Sequence, residues 1–257
     1  MKYFFLGRHR VKVYDSIDEL PMARFHVYNR MLLVDSGIGS DISDFDAHIE
    51  KVVRYIRKGD NDNAAKEMEN LRQNVYMVLE GQNVQHMSFA CLVESIDGKP
   101  CSDLSPEGLK QVLEQLGGTP KHDITSSLDE VKKKIDSELQ LYFPSLFNDT
   151  KTKEYFDQLK RLTLAELERI TEGDSEERQA KAEQIRESLI LFSKPKAFTG
   201  TEGLEVRHDK EFETMCLMIT KETGRDAKKM TVLEYYNAYE YLTKKAKETQ
   251  ERQNKAR

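Results

Sequence analysis

The stretch GIGSDISDFDAHIEKVVRYI, residues 37–56, gathers the residue types that most often do chemistry. Two glycines lead into Ser40, Asp41, Ser43, Asp44 and Asp46, and His48 follows. Such a run can hold a cation, cradle a phosphate or start a helix. An EF-hand calcium loop needs oxygen ligands at alternate positions, a central glycine and a terminal glutamate. The loop from Asp35, DSGIGSDISDFD, puts glycines at positions three and five instead. A dinucleotide fingerprint follows a strand, whereas GIGSDI follows a segment with helical spacing, and its acids repel phosphate. Capping accounts for more of the residues. Ser40, Asp41, Ser43 and Asp44 are types that accept from orphan N–H groups and complement the positive end of a helix.

The remaining reactive side chains are scattered. No two of His9, His26, His48, His86, His122 and His208 lie within 15 residues of each other, and no HExxH, HxH or HxxxH occurs. Cys91, Cys101 and Cys216 lack CxxC spacing, so neither a zinc site nor a disulfide framework is expected. Cys91, within MSFACLV, reads as a small buried hydrophobe. Nothing matches a P-loop, a G-x-S-x-G elbow or a cysteine-protease signature. The expectation is a non-enzyme with no cofactor, no metal and no catalytic residue.

Two features suit binding. Tyr235, Tyr236, Tyr239 and Tyr241 crowd one short helical run, and four rings cannot all face one small core. They are the candidate partner-binding residues, with Tyr236 and Tyr241 taken as the exposed pair. The terminal TKKAKETQERQNKAR holds six basic and two acidic residues, but its interleaved glutamates and lack of aromatics fit a solvated helix end better than a phosphate contact.

The elements that must position these groups follow from composition and periodicity. The chain has 257 residues and a net charge of −5, so no global basic field recruits nucleic acid. Its hydrophobic fraction of 38% and charged fraction of 33% suit helices with broad solvated faces. No apolar run reaches the ~18 residues of a membrane span and no signal peptide is visible, so a soluble cytoplasmic protein is expected.

Residues 2–14 read as two short β segments around Gly7. A helix follows with Ser16 as N-cap, then an amphipathic helix carrying Phe45, Ile49, Val52, Val53 and Ile56. Residues 87–96 lack periodicity and fit either a central helix ending at Asp97-Gly98 or a strand. Ser105 and Pro106 start a further helix, and Leu128, Val131, Ile135, Leu139 and Tyr142 stripe the next. Thr163 and Glu166 form a capping-box pair that breaks the run after it, and Ala182, Ile185, Leu189 and Phe192 mark another inward stripe. Thr231 and Glu234 form a second capping box, with Met230 and Tyr235 as a hydrophobic staple.

The fold class is therefore mainly α, a multi-helix body with a small N-terminal β element and a C-terminal helical hairpin. The expected division is a body over 1–193, a linker over 194–208 and a semi-independent hairpin over 209–257.

Three segments carry a family resemblance: residues 19–56, ENLRQNVYMVLEGQNVQHMSFACLVESIDGKP and DEVKKKIDSELQLYFP. Over residues 15–145 the chain resembles a family encoded in the structural-gene regions of tailed bacteriophages of gut bacteria. The C-terminal layout, a helical pair ending in a charged helix, is similar to tail assembly chaperones. The resemblance implies a virion component or assembly factor, in the host cytoplasm during assembly or in the virion. Its partners would be other phage structural or assembly proteins or further copies of itself, with no membrane; the alternatives are a nucleic-acid-associated phage protein using the basic C-terminal helix, or an uncharacterised enzyme.

Overall fold

The computed structural model describes residues 1–34, 42–79, 83–147, 150–192, 195 and 203–255. The fold is mainly α. Its elements are β1 (Lys2–Leu6), β2 (His9–Val13), α1 (Met22–Val34), α2 (Ile42–Arg57), α3 (Asn61–Leu79), α4 (Val84–Leu92), β3 (Val93–Ile96), β4 (Lys99–Pro100), α5 (Pro106–Gln115), α6 (Lys121–Tyr142), α7 (Pro144–Phe147), α8 (Thr150–Glu172), α9 (Glu176–Ile190), α10 (Leu204–Thr223) and α11 (Val232–Lys255). A 3₁₀ turn, Ala227–Lys229, precedes α11. Among the described residues no helix is long and apolar enough to cross a membrane.

The chain divides into two compact units, one of residues 1–35, 77–146 and 199–257, the other of 36–76 and 147–198. This division is not the sequential one at 194–208. The C-terminal helices share a unit with the N-terminal strands because the backbone stitches them together. Met22 N–H donates to Met230 O at 2.8 Å, Val232 N–H to Leu20 O at 2.9 Å and Leu233 N–H to Ile17 O at 2.9 Å, across a Pro21–Thr231 bridge.

In the first unit the four strands form an antiparallel sheet in the order β1-β2-β3-β4. Alternation puts Leu6, Val11 and Val13 inside, and an irregularity in the β2–β3 register brings both Val93 and Ile96 to the same side. Residues 87–96 are both of the expected alternatives in succession: α4 ends at Leu92 and β3 begins at Val93. Asp97 (φ 50) and Gly98 (φ 81) make the turn into β4, the left-handed pair that a two-residue hairpin requires. Arg24 holds the α4–β3 junction. Its buried guanidinium donates to Cys91 O at 3.0 Å and Val93 O at 2.9 Å, at the open end of the helix, and to Cys101 O just after β4. Beneath the sheet, Phe25 and Tyr28 of α1, Phe89 of α4 and Ile135 of α6 fill the core.

Several helix boundaries differ from expectation. Ser16 is no N-cap; its hydroxyl and the Ile17 N–H bind Glu138 at 2.8 and 2.9 Å. Helix α1 starts after Pro21 because a proline turns its predecessor away from helical geometry. Thr163 and Glu166 do not break α8, since Thr163 Oγ1 donates to Leu159 O within the helix and Glu166 binds Arg169 and Arg186. Helix α10 already begins at Leu204, so 204–208 are helical; residues 194 and 196–202 lie outside the described residues. The expected caps Ser40 and Asp41 also lie outside them, as do the side chains of Ser43 and Asp44. The second capping box is present: Thr231 N–H donates to Glu234 Oε2 at 3.1 Å and Glu234 N–H to Thr231 Oγ1 at 3.3 Å.

The second unit holds α2, most of α3, α8 and α9. Helices α8 and α9 pack together around Ala165 and Ala182, with Gly173 (φ 86) and the Ser175 N-cap between them. Arg54 of α2 pairs with Glu183 of α9 at 2.8 Å, and Lys58 with Glu187 at 3.1 Å.

Candidate functional site

Two features carry functional weight, and each belongs to one unit. The first is a cleft of about 190 Å³ where α1, α10 and α11 meet, lined by Met22, His26, His208, Phe212, Tyr235 and Tyr239 among others. Helix α10 presents His208 and Phe212 one turn apart, and both rings stack on His26 of α1. The centroids are 4.4 Å apart at 4° for His208 and 3.8 Å apart at 8° for Phe212. His26 Nε2 lies 2.8 Å from Asp209 Oδ1, and Arg30 Nη1 approaches the other oxygen at 3.3 Å.

His26, His208 and Asp209 bring ligand atoms within 4.8 Å of one another, a spacing that suggests a metal site. The ring geometry argues against it. Imidazole lone pairs lie in the ring plane, so two nearly parallel rings stacked face to face cannot aim at one ion. The arrangement suits neutral rings instead, with His26 as the Nε2–H donor to the Asp209 carboxylate. Burial lowers the affinity of both imidazoles for a proton, opposed by Asp209 and reinforced by Arg30. His208 Nδ1 is buried without a hydrogen bond, 3.9 Å from Asp209 Oδ1.

The four tyrosines take different places. Tyr235 is buried, 6.2 Å from the Phe212 ring and 5.5 Å from Tyr236. Tyr236 is not the exposed residue the sequence suggested. Its ring packs against Phe143 at 5.5 Å and Phe25 at 6.4 Å, and burial pushes its phenol up to about 12. Tyr239 is half-buried in the cleft, and Tyr241 is exposed. The helix turns three rings toward its own unit because 235, 236 and 239 share one face while 241 falls outside it.

The second feature is apolar surface on the second unit. Helix α2 buries Val52 and Tyr55, yet Phe45, Ile49, Val53 and Ile56 stay substantially exposed. On α8, Gln158 and Glu166 bind Ser188 and Arg186 of α9, so that face is occupied. The stripe beside it, Phe156, Leu159, Leu167 and Ile170, is exposed to 59% at Phe156 and 78% at Ile170. Monomers seldom leave such a contiguous stripe in water. Between α2 and α3, Phe45, Met68, Leu71 and Val75 line a groove of about 690 Å³.

Sequence reasoning missed the histidine stack because its members lie 182 residues apart, and missed the α8 stripe because a capping box seemed to divide it. Comparison with protein-family models, curated proteins and solved structures finds no match.

Proposed function

We propose that this protein is a non-enzymatic bacteriophage structural or virion-assembly protein that acts through protein–protein contact. The observation that carries the reading is the exposed apolar stripe of α8, Phe156, Leu159, Leu167 and Ile170. These residues recur at i, i+3, i+11 and i+14, with Thr163 filling the intervening turn. That spacing is the one by which a helix receives an apolar stripe on another helix. The partner is accordingly a helical surface of another assembly component. The phage setting comes from the resemblance of residues 15–145.

Affinity capture from infected host cells tests this reading. The unaltered chain should bring down virion components identified by mass spectrometry, and Phe156→Asp with Ile170→Asp should lose them while its helicity is unchanged. Capture that is indifferent to both changes, or the absence of any virion component, contradicts it.

A further inference from the structure

The outer face of the sheet is chemically unlike the rest of the molecule. Residues 1–14 contain Lys2, Arg8, Arg10 and Lys12 and no acid, in a chain whose net charge is −5. The pleat sorts them. Lys2 turns to Glu130 of α6, while Arg10 and Lys12 share the outer face with two aromatics. In the β1–β2 register Tyr3 stands opposite Lys12 and Phe5 opposite Arg10. Tyr3 is 48% exposed and Phe5 is 79% exposed. The first row continues across the sheet through Ser95 to Pro100.

We propose that this face binds single-stranded nucleic acid, with Phe5 and Tyr3 as stacking platforms for successive bases and Arg10 and Lys12 as phosphate contacts. Two rings at alternate positions of one strand stand about 6.8 Å apart at a rise of ~3.4 Å per residue. That separation leaves the Phe5 ring open to a base, while Arg10 already covers one face of Tyr3 and leaves a base the other. Every base offers a π-face, so this recognition tolerates sequence and needs bases that are not already paired. A cation directly across the pleat from each ring places positive charge where the backbone of such a strand would run.

The acids on this face are already engaged. Glu94 pairs with Lys12 at 3.4 Å, and Asp97 holds His9 Nδ1 at 2.7 Å and the Arg10 N–H at 2.9 Å. Arg8 in the β1–β2 turn adds an exposed cation at the same end of the sheet. The Arg10 guanidinium lies over the Tyr3 ring at 4.1 Å, the cation–aromatic pairing that stacking surfaces for single strands use. A purely structural role explains Tyr3 through that contact. It does not explain Phe5, whose ring is left in water opposite an arginine. The net negative charge bears on the whole molecule and limits the footprint to this patch; it does not remove the local field.

This inference is independent of the protein-contact reading, since the patch lies on the first unit and the α8 stripe on the second. The test is fluorescence anisotropy with a labelled twelve-nucleotide oligothymidine, an abasic strand of equal length and a duplex. Binding of the oligothymidine is expected at low ionic strength, with a log–log salt slope of about −1.4 to −2.1 for two to three phosphates. Phe5→Ala should weaken it about tenfold, as should loss of the bases. Phe5→Leu keeps an apolar strand residue without a stacking face and should weaken binding equally. Arg10→Glu should weaken the base-bearing and abasic strands alike. No binding at low salt, equal affinity for the abasic strand or the duplex, or indifference to both Phe5 changes overturns the proposal. So does an extended peptide protecting the β1 amides when no oligonucleotide binds.

Discussion

His26 of α1 and Asp209 of α10 meet at 2.8 Å, joining residues 183 positions apart in the sequence. The contact fixes how α10 lies on α1, with His26 Nε2–H as donor and the flat faces of His208 and Phe212 against the ring.

That packing makes stability depend on pH. Burial keeps His26 and His208 below their ordinary proton affinity, with Asp209, Glu211 and Arg30 as the charged neighbours. Below about pH 6.5 the unfolded chain takes up protons that the folded stack resists, so stability is full above that value and falls as pH drops toward 5. Thermal melts at pH 7 and pH 5 should show a lower Tm at pH 5. His26→Phe, which keeps a flat ring and removes one of the two titrations, should reduce that difference. An unchanged pH dependence in the variant would mean that other groups set it.

Glu67 is fully buried in the second unit, with His48 Nδ1 at 2.5 Å and Lys51 Nζ at 3.5 Å. Removing one partner of a buried pair strands the others, so Glu67→Ala should destabilise by about 3–5 kcal/mol. Chemical denaturation measures it. A loss under 1 kcal/mol would show that water reaches the site.

Removing residues 204–257 should disrupt the first unit rather than release a separate hairpin. The cut deletes the partners of Met22 N–H and Leu20 O and strips Phe212 and Tyr236 from His26 and Phe25. Loss of cooperative melting is the expected result. A truncated chain that melts as sharply as the full one would restore the sequential division.

The cysteines should differ in reactivity. Burial pushes the Cys91 thiol up to about 12 and the Cys216 thiol up to about 11, and Cys101 is the only one that is not buried. Native-state alkylation followed by peptide mapping should modify Cys101 first. Early modification of Cys91 would mean that the α4–β3 junction opens.

What the sequence made legible was whatever depends on near neighbours. The strands around Gly7, the Asp97-Gly98 turn, the Ser105 cap and the Thr231–Glu234 box are set within a few residues, and each is present. The errors have long-range causes. Ser16 was taken from its helix by Glu138, 122 residues away. Tyr236 looked like a surface residue because the rings that cover it, Phe25 and Phe143, sit on other elements. The histidine stack has no local signature at all. Alternation did separate the faces of β1, but the cations opposite Tyr3 and Phe5 emerge only from the cross-strand register.

Photo-crosslinking from Phe156 of α8 tests the central claim most directly. A photoreactive phenylalanine analogue there, activated in the infected host and read by mass spectrometry of purified particles and assembly intermediates, should join the chain to a virion component through an apolar helical segment. The join should vanish when Ile170 is changed to Asp. Crosslinks only to solvent, or to host proteins unrelated to assembly, would contradict the account.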